Sequence, residues 1–364
     1  MLSKKNKKPL APNSTIGIFG GGQLGQMTAR AANQLGYRTV IFSDSDNCPA
    51  SFVTNQTIIA EYSDQKALQE FADKIDVATF EFENIPVGAV DFVVGQKPVY
   101  PKSDVLRITQ DRLKEKNFLN QIGVATTGYF AINSLDDLKN NFSQKDNSKA
   151  ILKTTTMGYD GKGQKVLDQN SDLSRIWQEF SRELILEKFV NYTDEISIVV
   201  ARGIDGEISC FEPLKNIHQD GILRKSIYPA NISQETKQKA IEIANNIATK
   251  IDLVGVLAVE FFVLEGGGLM VNELAPRPHN SGHFSMDASN SSQFEQLIRS
   301  ICGLPLGNVD FHSKGFMQNL IGDDISRIDE YMTNRNAKLH LYGKEKAAKG
   351  RKMGHINFLD PIKP

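Results

Sequence analysis

The sequence has little cysteine, almost no net charge and no long hydrophobic run, and each shortage removes a class of function. Its three cysteines, Cys48, Cys210 and Cys302, stand far apart. They form neither a disulfide framework nor a paired metal-ligand spacing, which suits a reducing compartment. Forty-two basic residues against 43 acidic ones leave a formal charge of −1. No overall field then favours nucleic acid or a membrane surface, and any anion site has to be a local cluster. No apolar run approaches the ~18 residues of a membrane span. Residues 1–12 carry Lys4, Lys5, Lys7 and Lys8 with no apolar stretch behind them, so they read as a solvated tail, not a secretory signal. The expectation is a cytoplasmic protein with no nucleic-acid or membrane partner.

A chain of 364 residues, 40% of them hydrophobic, exceeds one ordinary core and predicts two or three domains. Thr15 to Phe19 reads as a buried strand, followed by Gly20-Gly21-Gly22-Gln23-Leu24-Gly25 and a helix to Leu35. A strand at Tyr37 to Phe42, a helix around Asp64 to Lys74 and a strand at Val77 to Phe82 continue the alternation. This predicts a parallel sheet with helices on both faces over residues 13–105. Beyond a polar-faced helix at Gln110 to Ile122, strands follow one another directly, as in antiparallel sheets. Glu235 to Ile251 reads as an amphipathic helix. Val256 to Leu264 and Leu269 to Leu274, joined by Glu265-Gly266-Gly267-Gly268, form the clearest hairpin. The last sixty residues read as a small appended unit with a basic end. Trp177, Cys210 and most phenylalanines are assigned to cores.

The first glycine turn could place a phosphate at a helix N-terminus, with Asp44 or Asp46 as a ribose acid, the pattern of an NAD-dependent oxidoreductase. Glycine is equally needed wherever a strand–helix turn packs tightly. The second loop, Gly158-Tyr159-Asp160-Gly161-Lys162-Gly163-Gln164, lies between two strands. It can fold over a triphosphate, with Lys153 upstream as a fixed positive charge; a merely mobile hairpin is the alternative. The hairpin about Gly266-Gly267 brings Glu260 opposite Glu273. Facing carboxylates repel in a bare sheet, and they make sense around a cation such as magnesium bound with ATP phosphates. A register shifted by one would instead send one of them to solvent. Arg277, His279 and Asn280 follow at once and offer donors to an anionic intermediate. His279 and His283 have zinc-helix spacing, but Pro278 and Gly282 oppose that helix.

These motifs, together with Gln110-Asp111-Arg112, His218-Gln219-Asp220-Gly221 and Gly350-Arg351-Lys352-Met353-Gly354-His355, resemble the ATP-grasp superfamily. Within it the sequence is similar to the 5-(carboxyamino)imidazole ribonucleotide synthases from Thr15 to about Asp360. The fold this implies is α/β and α+β: an N-terminal Rossmann-like parallel-sheet domain (15–107), an ATP-grasp domain (108–300) with a lid at about 125–190, and a small C-terminal domain (301–364). By resemblance, the ATP set is Arg112, Lys153, Gly158, Tyr159, Asp160, Gly161, Lys162, Gly163, Gln164, Glu187, Lys188, Phe189, Val190, Glu195, His218, Asn272 and Glu273. Residues 187–190 would read adenine through the backbone, and Glu195 would meet the ribose. Glu260 and Glu273 look like ligands of Mg2+, or Mn2+ in its place. Tyr159, Asp160, Arg277, His279, Asn280, Lys344 and Arg351 look like the ribonucleotide and bicarbonate contacts, with Arg277, His279, Asn280 and Lys153 as the catalytic group. Glu81 and Glu83 would line the substrate side of the first domain. The implied reaction is ATP-dependent carboxylation of 5-aminoimidazole ribonucleotide by bicarbonate in purine biosynthesis, in a homodimer. Rival readings are another ATP-grasp ligase (a formate-dependent transformylase or a biotin carboxylase relative), the oxidoreductase, and a catalytically silent nucleotide-binding regulator.

Overall fold

The computed structural model describes residues 8–46, 48–142, 149–158, 162–180 and 183–361. Three sheets organise them. The first is parallel, with strand order Gln56–Ile59, Arg38–Ser43, Thr15–Phe19, Val77–Phe80. Its strands are apolar on both faces because helices cover both. Phe19 and Phe42 meet Phe71 of the helix Gln65–Lys74, with ring centroids 4.8 and 5.6 Å apart. That helix begins at Asp64, which is its cap and not its first residue: Asp64 Oδ1 accepts from the backbone N–H of Lys66 and Ala67.

The second sheet has nine strands. Its main path runs Leu269–Ala275, Gly255–Val263, Asp194–Arg202, Leu214–Gln219, Ile222–Tyr228, Ser313–Ile321, Lys352–Pro361, Ala337–Leu341. Every pairing along it is antiparallel. Alternation along its central strands feeds two cores. Ile196, Ile198 and Val200 face Ala240, Ala244 and Ile247 of the helix Gln234–Lys250. Val199 and Ala201 face Phe294, Leu297 and Ile298 of the helix Gln293–Cys302. At about 1.5–3 kcal/mol for each large apolar side chain removed from water, these two helices fix the sheet firmly. The second core also takes in Met27 and Ala31 of the helix Gln23–Gln34, which packs the first domain onto the sheet. The C-terminal strands do not form a sheet of their own. Ser313–Ile321 pairs with Ile222–Tyr228 and extends the central sheet, a long-range pairing that local periodicity cannot reveal.

The third sheet, order Tyr129–Ile132, Leu184–Lys188, Ala150–Thr154, Gln164–Leu167, is antiparallel. It packs on its own core of Leu138, Leu152, Ile176 and Leu186, with Trp177 against it. The helix expected from Gln110 to Ile122 is present as Arg112–Gln121, and a separate short helix precedes it. Ser103–Thr109 ends where Asp111 starts a new helix, Arg112–Gln121, by accepting from the backbone N–H of Leu113 and Lys114.

Candidate active site

Asp111 sets the phase of the helix Arg112–Gln121 and so decides what its inner face presents. Arg112, Glu115 and Lys116 are spaced i, i+3, i+4 and point the same way. Together they engage the strand Leu269–Ala275. Arg112 donates to Glu273 Oε2 at 3.1 Å, Glu115 accepts the Leu274 N–H at 3.0 Å, and Lys116 reaches the Asn272 carbonyl at 3.4 Å. Burial, reinforced by the charge of Glu273, pushes Glu115 up to about 8 despite the opposing pull of Lys116.

That strand is one arm of the hairpin, and Glu260 stands opposite Glu273 in register. From Phe261 toward the turn the register is shifted by one, with Phe261 opposite Val271, and the extra residue of the bulge, Asn272, is what brings the two carboxylates opposite each other. Burial first, and then the facing charge of Glu273, push Glu260 up to about 8. Such a pair favours a cation between its members. Among the described residues no group of three or more His, Cys, Asp or Glu forms an all-protein metal cage. Two carboxylates that leave the other positions to phosphates suit magnesium. The buried Asn272 Oδ1 and both amide atoms of Asn280 have no protein partner, which is the polar surplus a charged ligand set would satisfy.

Across the cleft, Lys153 on Ala150–Thr154 meets Glu187 on Leu184–Lys188, with Nζ 2.7 Å from Oε2. Lys116 Nζ lies 3.4 Å from the other oxygen. Burial works against the Glu187 carboxylate, but the two ammonium groups overcome it and hold its pKa below the ordinary range. Burial also lowers Lys153. Lys116 was not among the residues picked out by sequence, although its helical spacing from Arg112 was a usable signal.

A cavity of about 360 Å³ opens between these walls. It is lined by Arg112, Lys153, Lys162, Gln164, Glu187, Lys188, Phe189, Val190, Glu195, His218, Glu260, Asn272 and Glu273, which brings most of the expected nucleotide set together. Glu195 Oε2 lies 2.6 Å from His218 Nδ1. Burial alone would lower His218, but the Glu195 hydrogen bond and charge raise it. Gly158 lines the neighbouring cavity instead, and Gly163 lines neither. Tyr159, Asp160 and Gly161 lie outside the described residues.

The neighbouring cavity, about 500 Å³, is walled by Glu81, Glu83, Gln110, Arg277 and His283 among others. Arg112, Glu273, His279, Asn280 and Lys352 line both cavities, so the two spaces meet at the carboxylate hairpin. Glu83 grips the Arg277 guanidinium with both oxygens, at 2.8 Å for Nη2–Oε1 and closer still for Nε–Oε2. Burial would raise Glu83, but this clamp holds it down at about 2. Burial, then the neighbouring Arg277 charge, drives His279 down to about 3, so its imidazole is neutral. Lys344 donates to the Lys352 carbonyl at 2.8 Å, and its charge still reaches Glu81. Arg351 is exposed and donates to the Lys346 carbonyl. Neither Lys344 nor Arg351 lines either of these two cavities; Lys352, next to Arg351 in the same basic run, lines both.

The first glycine turn has a different role from the dinucleotide site it suggested. Glu81 Oε2 accepts the Gly25 N–H at 2.6 Å and Oε1 accepts that of Gly22. The protein's own carboxylate therefore occupies the place of an anion at this helix N-terminus. A Cβ on Gly22 would lie 2.5 Å from Glu81 Oε1, so the close approach requires glycine.

Known proteins resemble this chain along its length. A model of the ribonucleotide synthetase preATP-grasp domain matches residues 13–110, one of the ATP-grasp domain matches 117–294, and one of the phosphoribosylaminoimidazole carboxylase C-terminal domain matches 315–363. An N5-carboxyaminoimidazole ribonucleotide synthase of Brucella melitensis is 45% identical over 98% of this chain and 99% of the relative. This chain belongs to the N5-carboxyaminoimidazole ribonucleotide synthase family. The Bacillus subtilis synthase is 41% identical over 97% of this chain and 93% of its own length. An N5-carboxyaminoimidazole synthetase of Staphylococcus aureus, solved with ADP, superposes with a TM-score of 0.91 at 36% identity, covering 98% of this chain and 95% of that one. An Aspergillus clavatus synthase, solved with ADP and 5-aminoimidazole ribonucleotide, superposes at 0.89 with 28% identity, covering 96% and 94%. The chain is thus an ATP-grasp ligase of the synthase family, built as a parallel-sheet domain, an ATP-grasp domain and a small C-terminal domain.

Proposed function

We propose that this chain joins bicarbonate to the exocyclic amine of 5-aminoimidazole ribonucleotide at the expense of ATP, releasing ADP and phosphate, as a step of purine biosynthesis. The observation that carries this reading is the meeting of two cavities at the Glu260–Glu273 hairpin, with Arg112, His279, Asn280 and Lys352 shared between them. A nucleotide in the smaller space would direct its γ-phosphate toward an acceptor in the larger. A bicarbonate oxygen attacks that phosphorus, ADP leaves, and carboxyphosphate forms. The amine then attacks the carboxyl carbon, phosphate departs, and the amine loses a proton.

Most of the catalysis is positioning and charge neutralisation. Lys153 and Lys116 share one carboxylate, so the trio offers one net positive charge to the phosphates. Arg277, immobilised by Glu83, sets a fixed guanidinium beside the acceptor. The neutral His279 donates a hydrogen bond without holding a charge that would trap the intermediate. Glu260 and Glu273 would hold magnesium, or manganese in its place, which when bound neutralises phosphate charge. Residues 187–190 would receive adenine, and Glu195 the ribose. Tyr159 and Asp160, with Lys344 and Arg351 behind Lys352, complete the proposed ribonucleotide side. A cytoplasmic homodimer is the assembly we expect, to be checked by light scattering; among the described residues no helix is long and apolar enough to cross a membrane.

The test is magnesium-dependent ADP release with the ribonucleotide and bicarbonate added singly and then together. Strong stimulation by the ribonucleotide, with one carboxylated product per ADP, supports the reading. A folded, ATP-binding protein that shows no stimulation contradicts the substrate assignment.

A further inference from the structure

We propose that Gln293 is a positioning residue for the carboxylation: its amide holds the main chain of His279 and dictates which nitrogen of His283 carries the proton. This deepens the carboxylation reading and rests on it.

Gln293 opens the helix Gln293–Cys302 and is completely buried. Its Oε1 accepts the His279 N–H at 2.8 Å. Its Nε2 donates to the His279 carbonyl at 2.7 Å and lies 3.1 Å from His283 Nδ1. The orientation of the amide follows from the main chain. If it were turned over, Nε2 would face an N–H and Oε1 a carbonyl oxygen, losing two hydrogen bonds among buried groups. An amide nitrogen can only donate, so His283 Nδ1 must accept and the ring proton must sit on Nε2.

The local sequence is arranged around this contact. Gly282 has no side chain, and a Cβ there would lie 2.4 Å from Gln293 Oε1. Ser285 Oγ accepts the Gln293 N–H at 3.0 Å and donates to the Gly282 carbonyl at 2.6 Å. His279 is set in a parallel way. The Ser281 N–H donates to His279 Nδ1 at 3.3 Å, and Ser281 Oγ lies 2.8 Å from the same nitrogen. Ser197 Oγ donates to Ser281 Oγ at 2.7 Å, which leaves the Ser281 hydroxyl proton to point at the imidazole. His279 therefore also carries its proton on Nε2, the nitrogen that faces Glu260 at 3.5 Å. A ring so held donates a hydrogen bond and has no lone pair on that side with which to take a proton from the amine. Both histidines line the larger cavity, and Gln293 ties them to each other and to the helix that underpins the sheet.

The test uses the full-length protein labelled with 15N at histidine, with His279 and His283 assigned through His279→Asn and His283→Asn. Long-range 1H–15N spectra of the native chain should show the Nε2–H tautomer at both positions. In Gln293→Glu, a near-isosteric change, the carboxylate cannot donate, so His283 should move its proton to Nδ1. In the same variant kcat should fall about tenfold or more through misplacement of His279, while the ATP dissociation constant stays within about twofold. An Nδ1–H tautomer of His283 in the native chain overturns the proposal even if the variant fails to fold. So does a Gln293→Glu enzyme with native kcat. Failure of the native chain to carboxylate would instead overturn the functional reading and would leave the tautomer assignment standing.

Discussion

Replacing Lys116 with methionine keeps the length of the side chain and removes its charge. The ammonium is almost fully buried, 3.4 Å from Glu187 Oε1 and 3.4 Å from the Asn272 carbonyl. Breaking a buried ion pair by deleting one partner costs about 3–5 kcal/mol. Here Lys153 still compensates Glu187 at 2.7 Å, and the cost of burying the Lys116 ammonium is relieved. The net loss of stability should therefore be smaller, about 2 kcal/mol, read as a lower midpoint in calorimetry. The functional effect should be larger than this implies. With Lys116 the trio carries a net positive charge; without it, Lys153 and Glu187 cancel. A unit charge acting over about 6 Å at an effective dielectric of about 20 is worth roughly 2–3 kcal/mol. ATP affinity by titration calorimetry should then weaken between about 30- and 150-fold. A variant that loses stability but binds ATP within about threefold of native would refute the electrostatic reasoning and leave Lys116 as packing.

Other consequences are equally direct. Glu273→Gln should abolish turnover, by about a thousandfold or more, and bring the Glu260 pKa down by removing the charge that faces it; near-normal activity would sink the metal assignment. Glu260, at about 8 in the metal-free protein, is protonated at neutral pH, so its carboxyl erodes metal-free stability as pH climbs from 4.5 toward 8. Magnesium uptake at pH 7 should therefore release a proton, measurable by calorimetry in buffers of different ionisation enthalpy, and its affinity should rise with pH up to about 8. Glu83 is displaced in the opposite sense: its clamp with Arg277 stabilises the fold above pH 4.5 and is lost as pH falls toward 2. Glu83→Gln should flatten that acid limb in denaturant titrations and lower kcat by releasing Arg277. Lys352→Ala should raise the ribonucleotide KM more than Lys344→Ala, since Lys352 lines both cavities; the reverse order in steady-state kinetics would return the nearer contact to Lys344.

What could be read from sequence, and what could not, follows the range of the interactions. Counting outward from Gly266-Gly267 placed Glu260 against Glu273, and the pairing is as expected, although the register next to the turn would set Glu260 opposite Asn272 and a bulge that no local pattern announces makes up the difference. The two glycine loops were visible, but only the structure shows that Glu81, 56 residues beyond Gly25, fills the first of them. Lys116 lay one helical turn from Arg112 and could have been found by spacing alone. Gln293 could not, because nothing local joins it to His279 before the chain has folded. The C-terminal strands read as a separate unit because alternation reports which face is apolar and not which strand is the neighbour. In the basic run 344–355 the charges were evident, but which lysine turns toward the cavities depends on the strand Lys352–Pro361 joining the central sheet.

Phosphorylation of bicarbonate where the two cavities meet would leave an isotopic record in the products. With 18O-labelled bicarbonate, ATP, magnesium and 5-aminoimidazole ribonucleotide, the released phosphate should gain one bicarbonate oxygen for each carboxylated product. Phosphate that carries only solvent oxygen while ADP accumulates would mean that water, not bicarbonate, attacks the γ-phosphate, and would contradict the account.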